Sequence, residues 1–139
     1  MRFLIIFIFL LTNSLASEAT GIKNLIINKE LKKYDSLTFL DGKNNQLSLE
    51  DYHGNLILLN FWATWCAPCK KEMPSLDLLQ TNKNLSNLKI FPINVGQDNI
   101  EKSLKFFEEL RIRNLKLYFD SPITLAKKFK LRGIPTSIL

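Results

Sequence analysis

The sequence predicts an α/β fold, a mostly parallel sheet with helices on both faces. Strand-like and helix-like stretches alternate from residue 56 to residue 129, the pattern that places helices against a sheet of parallel strands. One of them, Leu56-Ile57-Leu58-Leu59-Asn60-Phe61-Trp62, is an almost unbroken apolar run, as a strand covered on both faces requires. Two short alternating stretches ahead of it flank a turn-rich insert and read as a β-hairpin. With 139 residues, 46% of them hydrophobic and 23% charged, the chain has the length and composition of one globular domain.

Met1-Arg2 precedes nine apolar residues, Phe3 to Leu11, and then Thr12-Asn13-Ser14, the layout of a secretory signal peptide. Ser14-Leu15-Ala16 and Ser17-Glu18-Ala19 offer small residues for cleavage after Ala16 or Ala19. The run falls short of the roughly 20 apolar residues that span a bilayer. Residues 1–16 are therefore read as an export signal, with an uncleaved membrane anchor as the alternative. Residues 17–35 are polar and mixed around Leu25-Ile26-Ile27 and form an N-terminal arm, leaving residues 36–139 as the domain.

Within the domain, Leu37–Phe39 and Gln46–Leu49 are the hairpin strands, joined through Asp41-Gly42-Lys43-Asn44-Asn45. After the buried strand, residues 67–82 turn helical. Met73, Leu76, Leu78 and Leu79 fall on one side of this helix; Lys70, Lys71, Glu72, Asp77 and Gln80 fall largely on the other, and Pro74 removes one backbone donor. Residues 88–95 follow as a strand, 100–110 as a helix burying Leu104, Phe107 and Leu110, 115–119 as a strand and 122–129 as a helix. No internal repeat or low-complexity tract is present. The net charge of +6 is spread over scattered lysines and arginines, and a solvated surface accounts for it better than a nucleic-acid site, which needs a concentrated stripe.

The chemistry lies in Trp65-Cys66-Ala67-Pro68-Cys69, which holds the only two cysteines of the chain. Two thiols at this spacing interconvert as dithiol and disulfide, and a helix opening at the pair lowers a thiol's pKa through the positive end of its dipole. A tetrahedral metal site needs four ligands, and beyond the pair the chain has one histidine, His53, so carboxylates or a second chain would have to complete it. Covalent haem attachment needs a histidine where Lys70 stands. A purely structural disulfide closing so short a loop stabilises weakly. Pro68 suits the first helical turn, where no backbone donor is required.

The stretch Phe61-Trp62-Ala63-Thr64-Trp65-Cys66-Ala67-Pro68-Cys69-Lys70-Lys71-Glu72-Met73-Pro74 resembles the active-site run of the TlpA and ResA family of periplasmic thioredoxin-like reductases. Leu47-Ser48-Leu49, Tyr52, Gly54 and Leu59-Asn60 resemble that family's lead-in, and Gly133-Ile134-Pro135-Thr136 its cis-proline loop. The resemblance covers residues 35–139. It implies a thioredoxin fold with an N-terminal β-hairpin and an inserted strand-helix unit. Because the family continues past this point, it also implies that the chain lacks the final edge strand and helix, as a truncated sequence would.

The resemblance further implies that Cys66 attacks a disulfide and Cys69 resolves the mixed disulfide, the asymmetry that exchange requires. Pro135 would be a cis proline facing the sulfurs, with the Ile134 backbone pairing to an extended substrate segment. Glu72 matches a glutamate that assists proton transfer in ResA-like proteins. Asn60 takes the place of thioredoxin's buried aspartate, Trp62 belongs to the core, and Trp65 lines the sulfur surface. No cofactor beyond the cysteine pair is implied. The partners would be disulfide-containing proteins and a membrane electron donor, in cytochrome c maturation or copper-site assembly, in a periplasmic or otherwise extracytoplasmic setting. Spacing alone does not set the direction of electron flow, since proteins sharing it have potentials from roughly −270 to −120 mV. A DsbA-like oxidase or isomerase, and a copper chaperone using the pair as soft ligands, are the alternatives.

Overall fold

A computed structural model of the chain describes Ile26, Lys33, Tyr34 and residues 36–139. The chain divides into two compact units, Met1–Lys33 and Tyr34–Leu139. The expected signal segment and its cleavage positions, and all of the arm except Ile26, Lys33 and Tyr34, lie outside the described residues. The second unit begins with Tyr34, whose ring lies 4.8 Å from that of Phe129.

The elements run β1 (Thr38–Asp41), β2 (Gln46–Ser48), β3 (Leu56–Trp62), α1 (Ala67–Gln80), β4 (Leu88–Asn94), α2 (Ile100–Glu109), β5 (Tyr118–Phe119), α3 (Leu125–Lys128) and β6 (Thr136–Ile138). One six-stranded sheet has the order β2-β1-β5-β4-β3-β6. The centre is parallel, β3 with β4 and β4 with β5, but the hairpin joins β5 antiparallel through β1, and β6 joins β3 antiparallel. The sheet is therefore mixed rather than mostly parallel: a hairpin strand and a strand returning from a loop enter its edges without the long crossover that parallel pairing needs.

Alternation along β3 and β4 divides the core into two layers. Trp62, Leu88 and Ile90 face Cys66, Cys69 and Met73 of α1 and Phe106 and Phe107 of α2. Leu59, Phe61, Phe91 and Ile93 face Phe39, Tyr118 and Leu125 of α3 on the opposite side. Trp62 is fully buried, its ring 4.5 Å from Phe106 and 5.6 Å from Phe107. Aromatic burial of this kind is worth about 2–3 kcal/mol per side chain. It fixes β3, and with it the loop that β3 feeds into α1.

The helix pattern needs three corrections. In α2 the buried positions are Ser103, Phe106 and Phe107, while Leu104 is exposed; it lies about 100° around the helix from Ser103. In α1, Leu78 is exposed and Asp77 is buried. Asp77 turns inward because its carboxylate accepts the backbone N–H groups of Arg113 (3.2 Å), Asn114 (2.7 Å) and Leu115 (2.9 Å), and the Asn114 side chain at 2.9 Å. Burial works to raise its pKa, but these hydrogen bonds outweigh it and hold the carboxyl below the usual range.

Two elements are shorter than their sequence patterns. With residues 113–115 bound to Asp77, β5 shrinks from the expected 115–119 to Tyr118–Phe119 and pairs only with Ile93 and Asn94 of β4. Pro92 in β4 therefore has no β5 residue opposite it. Likewise, α3 is a single turn rather than 122–129, because Asp120 accepts the N–H groups of Thr124, Leu125 and Ala126 and sets the helix start. Both α2 and α3 end in Schellman turns with a left-handed residue, Arg111 (φ 56°) and Lys130 (φ 51°), where glycine is usual. Between α1 and β6 the chain thus carries two strands and two helices, as the inserted unit requires.

Candidate active site

The site begins where β3 ends. Val95 N–H donates to Trp62 O at 2.9 Å and Cys66 N–H to Ala63 O at 3.2 Å, so the chain turns sharply between Trp62 and Cys66. Cys66 is the N-cap of α1, and its sulfur accepts the Cys69 N–H at 3.2 Å. Pro68, in the first turn, lacks a donor where the helix has no partner to offer. The two cysteines form a disulfide with Cα atoms 5.3 Å apart.

Burial separates the two cysteines only slightly. Cys69 is completely buried, whereas Cys66 keeps 5% exposure. The sequence places Cys66 at an exposed helix start; folding the side chain back over the first turn to cap Cys69 covers most of it. Around it Ala67 and Pro68 are exposed, and Trp65 is 70% exposed. The Ile134–Pro135 peptide bond is cis, and Ile134 packs against the apolar cluster containing both cysteines. A second cis bond, Ser121–Pro122, carries no signal in the sequence that distinguishes it from an ordinary X-Pro bond.

One turn further along α1 from Cys69, Glu72 is half-buried and accepts a hydrogen bond from Asn60 Nδ2 at 2.6 Å. Burial raises the Glu72 pKa, and the Asn60 bond opposes part of that rise. Asn60 itself is fully buried and donates a second bond to Ser137 Oγ at 3.1 Å. The structure therefore joins Glu72, on the helix of the cysteines, to β3 and to the strand that follows Pro135.

Sequence reasoning missed the loop after β4, residues 95–99. Asp98 Oδ2 accepts the Thr64 N–H at 3.0 Å and the Asn94 side-chain amide at 3.1 Å, while Gly96 N–H donates to Asn94 Oδ1 at 2.8 Å. Burial pushes the Asp98 pKa up, yet these bonds bring it below the usual range. A Cβ on Gly96 would meet Ala63 Cβ at 2.5 Å, Asp98 Oδ2 at 2.9 Å and Trp65 Nε1 at 3.1 Å. The loop thus fastens the turn that carries Trp65 and Cys66. The available signal was a glycine and an aspartate just past a strand, Asn94-Val95-Gly96-Gln97-Asp98.

Residues 25–139 match the AhpC/TSA family. The chain belongs to that family. It is also similar to the thiol-disulfide oxidoreductases ResA of Geobacillus kaustophilus, 32% identical over 103 residues, and of Geobacillus thermodenitrificans, 38% identical over 103 residues. Each alignment covers 74% of this chain and 57% of the relative, so the chain spans little more than half the length of these curated relatives. Among solved structures it is similar to StoA of Bacillus subtilis (TM-score 0.62, 24% identity, covering 74% of this chain and 77% of that one). It is also similar to the exposed lipoprotein thioredoxin of Streptococcus pneumoniae (TM-score 0.62, 20% identity, covering 74% and 78%). At those identities the likeness establishes the thioredoxin fold. The ResA relatives bear out the family resemblance read from the active-site run.

Proposed function

We propose that the protein is an extracytoplasmic thiol:disulfide oxidoreductase that reduces protein disulfides, with Cys66 as the attacking and Cys69 as the resolving residue. The observation that carries this reading is the disulfide at the start of α1, with Cys69 fully sealed and Cys66 nearly buried but flanked by the exposed Trp65, Ala67 and Pro68, close to a family-typical cis-proline loop. In the reduced protein the Cys66 thiolate attacks a substrate disulfide, an S–S bond forms between them, and one substrate sulfur leaves as thiolate. Cys69, having lost its proton, then attacks Cys66 Sγ; the mixed disulfide breaks, the second substrate sulfur leaves, and the Cys66–Cys69 bond forms. Two electrons have passed to the substrate.

Glu72 is assigned as the acceptor of the Cys69 proton, because position i+3 places it on the same side of α1 and its half-buried carboxyl binds a proton more readily than an exposed one. Trp65, Pro68, Ile134 and Pro135 form the surface that receives the substrate segment. No cofactor beyond the cysteine pair is invoked, and a membrane thiol donor restores the dithiol. Cytochrome c maturation and copper-site assembly are the pathways that the resemblance of the active-site run favours, and the N-terminal apolar run supports export.

The Cys69→Ser variant tests the reading. It should retain partner proteins as mixed disulfides on Cys66, and the wild-type pair should show a potential toward the reducing end of the thioredoxin-family range. An oxidising potential would favour the DsbA-like alternative. Stoichiometric copper(I) binding that survives thiol competition, with no exchange activity, would favour the chaperone.

A further inference from the structure

Asn60 is an expensive residue to keep. It lies fully buried at the centre of β3, and its Oδ1 has no hydrogen-bond partner among the described residues. An unsatisfied buried carbonyl costs about 1–3 kcal/mol, a cost that an apolar side chain of similar size avoids. The donor end of the same amide is fully used. One Nδ2–H goes to Glu72 Oε1 at 2.6 Å and the other to Ser137 Oγ at 3.1 Å. Asn60 and Ser137 face each other in the β3–β6 register, so the second bond is a cross-strand contact that fixes the amide plane.

We propose that Asn60 is a positioning residue for the exchange reaction: oriented by Ser137, its amide holds the Glu72 carboxylate ready to take the proton of Cys69. This rests on the assignment of Glu72 made above. A neutral donor suits the task. An aspartate here would face Glu72 with a second carboxyl group and compete for the proton, whereas an asparagine can only donate from Nδ2, favouring the ionised form that acts as a base.

The groups around Glu72 are simple. Asn60 faces it from β3, Ser137 reaches that asparagine from β6, and Cys69 is the titratable group one turn back on α1; Lys70 and Lys71 of the same helix are exposed. Burial and the Asn60 bond are the two influences on its ionisation, with no charged neighbour among them. The placement also links substrate docking to proton transfer. Ser137 lies two residues beyond Pro135, so a segment bound along that loop touches the strand that orients Asn60.

The test is a stopped-flow single-turnover reaction of the reduced protein with oxidised glutathione, following the resolution step by tryptophan fluorescence across pH in wild type, Glu72→Gln, Asn60→Leu and the double variant. Glu72→Gln should slow resolution on the order of 10–100-fold and remove the Glu72 limb of the profile. Asn60→Leu should move that limb to higher pH by about one unit, a tenfold loss of rate below it, and should have no further effect when Glu72 is already glutamine. A limb abolished by Glu72→Gln but unmoved by Asn60→Leu overturns the proposal and leaves the Glu72 assignment standing. A profile unchanged by Glu72→Gln refutes that assignment and the proposal together. Should Asn60→Leu fail to fold, isosteric Asn60→Asp serves: it must also displace the limb upward, and an unmoved limb overturns the proposal.

Discussion

Removing the Asp77 carboxylate is the most informative perturbation of the scaffold, because one buried side chain on α1 secures the connection from α2 to β5. In Asp77→Ala, the backbone donors of Arg113, Asn114 and Leu115 and the Asn114 side chain all lose their acceptor. Hydrogen bonds to a charged group contribute about 1.5–3 kcal/mol each, but their simple sum would overstate the loss. Arg113 N–H is shared between both oxygens at 3.2 and 3.3 Å, and Arg113 and Asn114 are exposed enough to be rehydrated. Leu115 is buried and its N–H would be left unpaired. We expect a net loss of about 3 kcal/mol.

Urea unfolding of the oxidised protein at neutral pH, followed by tryptophan fluorescence, measures this directly, provided the slope m is unchanged. Asp77→Asn should lose less, since it keeps a carbonyl acceptor for the Asn114 and Leu115 amides while setting its NH2 against the Asn114 side chain. The sign of the pH dependence follows from the lowered pKa. The stabilisation is complete above the unfolded value of 3.8 and is lost as pH falls through the lower folded value, so the gap between wild type and Asp77→Ala should close only in strong acid. A loss below about 1 kcal/mol, or a gap that closes already near pH 5, would refute the reasoning.

Four further outcomes are expected. Gly96→Ala should cost about 1–3 kcal/mol and slow exchange with oxidised glutathione, because the new methyl group collides with Ala63 at the base of the active-site turn; unchanged stability and rate would show that the loop yields freely. Arg111→Gly should raise stability by up to about 1 kcal/mol in urea, since the residue is held at φ 56°; a loss instead would mean that the arginine side chain has a stabilising contact. Glu72→Gln should gain stability relative to wild type as pH rises from about 4 to 7, because a carboxyl whose folded pKa is raised above 4.5 stabilises most when protonated and loses that contribution as it ionises; parallel curves for the two proteins would contradict the raised pKa. Asp120→Ala should loosen α3, seen as faster amide exchange at Thr124, Leu125 and Ala126; unchanged exchange there would mean that the helix start does not depend on Asp120.

Local signals were the most legible part of this chain. The run from Leu56 to Trp62 is β3 residue for residue, because a strand covered on both faces is apolar at nearly every position, Asn60 being the exception here. The start of α1 was equally plain, since Cys66 as a cap and Pro68 in the first turn are short-range features. Element ends were harder to read wherever a distant side chain competes for the backbone. Asp77 removes Leu115 from β5 and Asp120 delays α3, and neither aspartate differs in sequence from a solvated one.

The sequence by itself determined that two thiols stand at the mouth of a helix fed by a buried strand, because spacing, capping and periodicity are properties of neighbouring residues. Only the tertiary structure decided what surrounds them. Asn60, Glu72 and Ser137 meet because β6 returns antiparallel beside β3 under α1, and Gly96 and Asp98 reach the Cys66 turn because β4 ends in register with β3. Such contacts depend on which strands are neighbours and on which face a side chain emerges. Those properties are set by the packing of the whole sheet.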